Sequence, residues 1–228
     1  MTALENALMA LLHTDATLAV SLPGAVHLVT VTATGGTFTL TFNAATTTAI
    51  AEAATAATVQ AALVALASVG ASNVTVTGSA GGPFTVTFTG TLANTALPLT
   101  GSGASLTPGG STLAIAQRAA VYNTVAVSPP VSYLVFTKIV ATPEYAFNVL
   151  ASEEHRYQIT VVTQGASRAT IETAMDRVDA LLNLQALAVS GKDSWGIVKI
   201  SGGPSEVEEV GGTVWQWGSN DYRITLGN

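Results

Sequence analysis

A chain of 228 residues with no cysteine offers no disulfide, thiolate metal site or cysteine nucleophile, and at this length it can bury roughly 70% of its unfolded surface. Its net charge is −6, with the eight basic residues scattered from Arg118 to Arg223, which excludes the basic stripe that phosphate binding requires. Hydrophobic residues make up 48% and charged residues 10%, yet Thr, Gly, Ser, Asn or Pro interrupt every uncharged stretch before the about 20 apolar residues of a spanning helix.

The chain opens with MTALENALMALLH. There is no Lys or Arg ahead of the apolar run and Glu5 lies inside it, unlike a secretory leader, so synthesis and folding in the cytosol are expected. Thr2 and Glu5 form a capping box, and Leu4, Leu8, Leu11 and Leu12 make an apolar stripe, which predicts a helix to about His13. A short second helix follows Asp15 and stops at Pro23-Gly24.

Composition then changes. Between Asp15 and Arg118 the only fully charged side chain is Glu52, and Thr, Ala, Gly, Val and Ser dominate. This contrast predicts an inserted module over residues 26–116 within a host domain made of residues 1–25 and 117–228. VTVTATGGTFTLTF (Val29 to Phe42) repeats as VTVTGSAGGPFTVTF (Val74 to Phe88), each copy reading as strand, Gly-Gly turn and strand. Alternation puts Phe38, Leu40 and Phe42, and again Phe84, Val86 and Phe88, on one face with threonines on the other. Between the copies, Thr55 to Val69 sets Val59, Leu63 and Leu66 near one helical stripe with Gly70 as its stop. The expected module is one helix over a four-stranded sheet, ββαββ. It reads as a rigid spacer, or as an adhesive or glycan-binding surface, although glycan sites usually present aromatics and carboxylates that this segment lacks on its exposed face.

After the insertion, Pro129-Pro130 precede a strand in which Tyr133, Val135 and Thr137 alternate with Leu134, Phe136 and Lys138. A loose segment is expected up to Glu153. Next, Tyr157, Ile159 and Val161 alternate with Arg156, Gln158, Thr160 and Val162, a strand with one buried face. Gly165 turns the chain and Ser167 caps a helix with Ile171, Ala174, Met175, Val178, Leu181 and Leu182 at helical spacing. WGIVKI, SEVEEV and TVWQWGSNDYRITL are three further strands. The host is therefore α+β, a mixed or antiparallel sheet with packed helices.

Chemical motifs are scarce. His13, His27 and His155 have no metal-ligand spacing, and His155, beside Glu153 and Glu154, reads as a solvated strand start. No nucleophile elbow, Walker loop or dinucleotide fingerprint occurs. Glu206, Glu208 and Glu209 form the densest acidic cluster; on a strand Glu206 and Glu208 share one face, which suits a solvated edge. Neither an enzyme nor a cofactor or metal site is expected. Trp215 and Trp217 share one face of a strand and are either core or a contact patch; with Arg156 they are the candidates for a subunit interface.

The flanks, LENALMALLHTDATLAVSL, VYNTV with SPPVSYLVF, EEHRYQITVVTQGASRATIETAMDRVDALL, and WGIVKI with VEEVGGTVWQWGSNDYRITL, together resemble the tail terminator, or tail completion, family of long-tailed bacteriophages. The insertion resembles a Thr/Gly-rich module found in phage structural proteins. The resemblance implies a non-enzymatic virion protein of the tail or neck, assembled in the host cytoplasm as a ring, typically hexameric, that caps the tail tube and ends its polymerisation. Its partners would be its own copies, the tail tube protein, the head-tail connector or stopper and the tape measure protein, with no specific nucleic-acid or membrane binding. If the strand carrying Glu206 and Glu208 faces the channel, its acidic wall would repel DNA. A head-side stopper or neck protein, and a surface-binding decoration module, are the alternatives.

Overall fold

The computed structural model describes residues 2–93, 95, 97–124, 132–146, 149–164, 168–203, 206–210 and 212–227. Pro129-Pro130, Gly165 and Ser167 lie outside the described residues. The chain divides into two compact units, one formed by Met1–Leu22 with Ala119–Asn228 and the other by Pro23–Arg118.

In the first unit α1 (Ala3–Thr14) begins at the expected capping box: Glu5 N–H donates to Thr2 Oγ1 at 3.3 Å and Thr2 N–H donates to Glu5 Oε2 at 2.8 Å. Its stripe of Leu4, Leu8 and Leu12 is buried. Asp15 then caps α2 (Ala16–Ser21), accepting from Leu18 N–H at 2.8 Å.

The second unit holds β1 (Pro23–Thr32), β2 (Gly35–Phe42), β3 (Ala45–Thr46), β4 (Ile50–Ala51), α3 (Ala56–Val64), β5 (Val74–Gly78), β6 (Phe84–Phe88), β7 (Leu99–Thr107) and β8 (Thr112–Ala119). Its topology departs from the expected single sheet. β5 and β6 do pair as an antiparallel hairpin, but β1 and β2 do not pair with each other. β1 joins β6 in a sheet ordered β5-β6-β1-β8, while β2 joins β3, β4 and β7 in another. Gly36, at φ +85°, lies so close to β7 that a Cβ there would sit 2.2 Å from the Ser105 carbonyl oxygen; the Gly-Gly pair admits a neighbouring backbone instead of turning a hairpin.

The two Phe-bearing faces share one core in consequence. Phe38, Leu40, Phe42, Phe84, Val86 and Phe88 are all buried, and the Phe42 and Phe88 rings stack with centroids 4.3 Å apart. α3 starts on its Thr55 cap and ends at Val64, short of the expected Val69, but Leu66 and Val69 still reach the core through the following turns.

The first unit resumes with β9 (Val121–Asn123), β10 (Ser132–Ala146), β11 (Val149–Gln164), α4 (Arg168–Leu182), β12 (Asp193–Gly202), β13 (Glu206–Val210) and β14 (Thr213–Gly227). These strands form one sheet ordered β12-β14-β11-β10-β9, with β13 also paired to β14. Only the β9–β10 pairing is parallel among those resolved, so the unit is α+β. The stretch expected to be loose before Glu153 is instead the far half of the β10–β11 hairpin, where Pro143 pairs with Glu153. The β9 partner covers only Leu134 to Phe136; beyond it β10 is an edge among the described residues, and an edge tolerates a proline that lacks an N–H.

One face of this sheet carries Leu134, Phe136, Tyr157, Ile159, Val161, Tyr222 and Ile224, all fully buried with the apolar stripes of α1, α2 and α4. Two polar links tie α4 down. Arg177 donates through Nε and Nη2 to the two oxygens of Asp15, at 3.1 and 2.6 Å, and Asp179 accepts from Lys199 Nζ at 2.6 Å, from Asn220 Nδ2 at 3.1 Å and from the Tyr222 hydroxyl. The Arg177 hydrogen bond holds the Asp15 carboxyl below its ordinary value, against the opposing effect of burial.

Candidate functional site

Strand alternation gives the sheet of the first unit a second face, and the helices pack on the other one. Along β14 this second face presents Trp215, Trp217, Ser219, Asp221 and Arg223, none of them fully buried; along β11 it presents Val162, Thr160, Gln158, Arg156 and Glu154.

The register brings the expected residues together. Trp215 stands opposite Glu208 on one side and Gln164 on the other; Trp217 stands opposite Glu206 and Val162. Val162 faces Tyr133, and the Tyr133 ring meets Tyr122 edge to face at 5.9 Å. An aromatic band thus crosses the sheet from β9 to β14. Both tryptophans are half-buried, so they belong to this band and not to the core. Burial raises the pKa of both tyrosines, with Tyr133 adding to the effect on Tyr122, so the band is uncharged at neutral pH.

Beside the band the face is polar. Arg156 Nη2 donates to Asp221 Oδ2 at 3.0 Å, Gln158 Nε2 donates to Asp221 Oδ1 at 3.4 Å, and Arg223 Nη1 lies 3.8 Å from Glu154 Oε2. Glu206 and Glu208 are exposed on β13, directly across from the tryptophans. The residues expected at an interface and those expected at a channel therefore border one another on one face, an adjacency that sequence spacing does not reveal.

The histidines are not brought together. His27 is buried on β1 in the second unit, where Nε2 accepts from Leu99 N–H at 3.1 Å and burial pushes its pKa down to about 4. His13 sits in the last turn of α1. His155, expected at a solvated strand start, is buried because odd-numbered β11 positions face the helices. Its Nε2 lies 3.1 Å from Glu153 Oε2, and its Nδ1 is buried without a hydrogen-bond partner among the described residues.

His155 also lines a cavity of about 400 Å³ that no sequence motif announces. The sheet runs on past the first turn of α1, leaving a hollow walled by Thr2, Leu4, Ala141, Pro143 and Leu226, with Lys138, Glu153 and Lys192 at its polar side. Burial lowers the His155 pKa; Lys138 and Lys192 act in the same direction and Glu153 opposes them. Among the described residues no group of three or more His, Asp or Glu could hold a metal ion, and no helix is long and apolar enough to cross a membrane.

Residues 104–211 match the family model described as tail completion protein gp17, in line with the resemblance carried by the flanking sequence. The matched segment contains β9 to β13 and α4. A comparison with curated proteins finds no match. Among solved structures, the chain is similar to one from the virion of a native gene transfer agent particle, at 20% identity over 48% of this chain and 79% of that one, with a TM-score of 0.38. It is also similar to a chain of Mycobacterium phage Patience, at 30% identity over 43% of this chain and 39% of that one, with a TM-score of 0.33.

Proposed function

We propose that this chain, matched over residues 104–211 by the tail completion family model, forms a ring that caps the tail tube, ends its polymerisation and allows head attachment. The family match carries the reading. Its physical support is the second sheet face: a band of half-exposed tyrosine and tryptophan beside Arg156 has the composition of a protein contact surface, where aromatics and arginine are enriched. In this reading Trp215, Trp217 and Arg156 lie between neighbouring subunits, and Glu206 and Glu208 at the margin of that contact face the channel, where their charge repels DNA.

A closed ring needs heterologous contacts that close by rotation, and a cap must match the last tube ring without offering a copy of the tube's own growing face. The ring is hexameric in this reading, with the tail tube protein on one side, the head connector or stopper on the other and the tape measure protein setting the length. The Pro23–Arg118 unit, uncharged but for Glu52 and Arg118, serves as a rigid accessory module and takes no part in capping. No catalytic step is assigned to either unit.

Electron microscopy of lysates from a phage lacking the gene tests the proposal. Overlong or ragged tubes beside unattached heads are expected. Tails of normal length that fail to join heads would move the protein to the head side, and intact virions would remove both assignments.

A further inference from the structure

The strand β13 and the cavity beside α1 are complementary in chemistry, an apolar side chain beside a carboxylate on one and an apolar wall beside a lysine on the other. β13 is an edge strand among the described residues, paired only to β14. Glu206, Val207, Glu208 and Glu209 are all exposed, Val207 by 63%. Because side chains alternate, Val207 and Glu209 project together from the side opposite Glu206 and Glu208. A large apolar side chain next to a carboxylate on an open edge is unusual, since edges are ordinarily protected by charge alone.

The cavity offers the counterpart. Its apolar walls, Leu4, Pro143 and Leu226 among them, end at Lys138, Lys192 and Glu153; Glu153 Oε1 lies 3.9 Å from Lys192 Nζ, which leaves Lys138 as the cation for an incoming carboxylate, and the buried His155 Nδ1 has no hydrogen-bond partner among the described residues. Neither Lys138 nor Glu209 makes an ion pair among the described residues.

One molecule cannot bring these two features together. Val207 shares a row of the sheet with Gln216 and Thr163, whereas the cavity lies at the row of His155 and Ile224. Along β11 these rows are about eight residues apart, roughly 26 Å at the rise of a strand. Contact between them must join two copies, and made head to tail it is of the kind that closes into a ring.

We infer that Val207 and Glu209 of one copy seat in the Lys138–His155–Lys192 cavity of a second copy of this chain. Val207 fills the apolar part and the Glu209 carboxylate meets Lys138. The inference rests on the self-association proposed above and names the surfaces through which it occurs. Charge pairing of this kind fixes register and rejects the reversed orientation, in which like charges meet.

The absence of cysteine makes disulfide trapping in the full-length chain a direct test. A Val207→Cys variant mixed with a Thr142→Cys variant, whose cysteine sits at the cavity wall, is oxidised, and covalent dimer is compared with that from V207C mixed with Val20→Cys, an exposed position on α2. The first pair is expected to yield several-fold more dimer. Lys138→Glu on the cavity partner, or Glu209→Lys on the strand partner, should each reduce trapping, and the two together should restore it, which a fold defect cannot do. Equal yields from the two cysteine pairs, or no rescue by the double reversal, would overturn the inference. Rings seen by electron microscopy with trapping at the control level would show that neighbours meet elsewhere while the capping reading stands; trapping as expected with normal tails in the deletion phage would keep the contact and remove the capping role.

Discussion

His27 makes the stability of the second unit depend on pH, and the dependence can be worked out from its surroundings. The ring is fully buried, its Nε2 accepts the Leu99 N–H, and its edge meets the Phe88 ring at 5.7 Å. Burial is the sole cause that lowers its pKa from 6.5 to about 4. Above pH 6.5 the imidazole is neutral in both folded and unfolded chains and nothing is lost. As the pH falls, the unfolded chain takes up a proton that the folded unit refuses, so stability declines from about pH 6.5 down to about pH 4 and is level below that. One pKa unit corresponds to about 1.4 kcal/mol, which gives about 2 kcal/mol lost by pH 5 and about 3 kcal/mol in all. Urea unfolding followed by far-ultraviolet circular dichroism at pH 7 and pH 5 measures it. Tryptophan fluorescence separates the units, because Trp195, Trp215 and Trp217 all lie outside Pro23–Arg118. His27→Gln keeps an acceptor for Leu99 and cannot charge; its transition in the second unit should lose about 2 kcal/mol less between the two pH values. Equal losses in the wild type and His27→Gln would refute the argument.

Two further outcomes are expected. Replacing Trp215 and Trp217 together by alanine should leave far-ultraviolet circular dichroism unchanged, since both rings are half-buried outside the core, while ring formation read by light scattering and electron microscopy is lost; assembly at wild-type level would exclude the aromatic band from the subunit contact. Asp15→Ala removes the cap of α2 and the partner of Arg177; a cap is worth about 1 kcal/mol and a partly exposed ion pair up to about 1 kcal/mol, so the tryptophan-reported transition should fall by about 2 kcal/mol. Because the Asp15 pKa is lowered on folding, its charge-dependent share is present above the ordinary carboxylate pKa and disappears as the pH drops through the lowered value.

Much of the first unit was legible in the sequence because its signals are local. The capping box of Thr2 and Glu5, the leucine stripe of α1 and the stripe of α4 each involve residues three or four apart, and the structure places their side chains in one core. The alternation of Tyr157, Ile159 and Val161 likewise identified the buried face of β11 from spacing alone. His155 continues that alternation and could have been assigned to the same face, but the two adjacent glutamates pointed to solvent.

What the sequence by itself determined was which side chains leave water together: the Phe faces of the repeat, the leucine stripes, the odd positions of β11. Tertiary structure alone decided with which partners they do so. The first copy of the repeat divides between two sheets because β1 bonds to β6 and β2 to β7, and nothing in an eight-residue pattern names a partner so far along the chain. The same holds for the candidate site, where Trp217 meets Glu206 and Val162 only through the register of three strands. Side-chain periodicity follows from the geometry of each strand, whereas pairing depends on which distant backbone satisfies its hydrogen bonds.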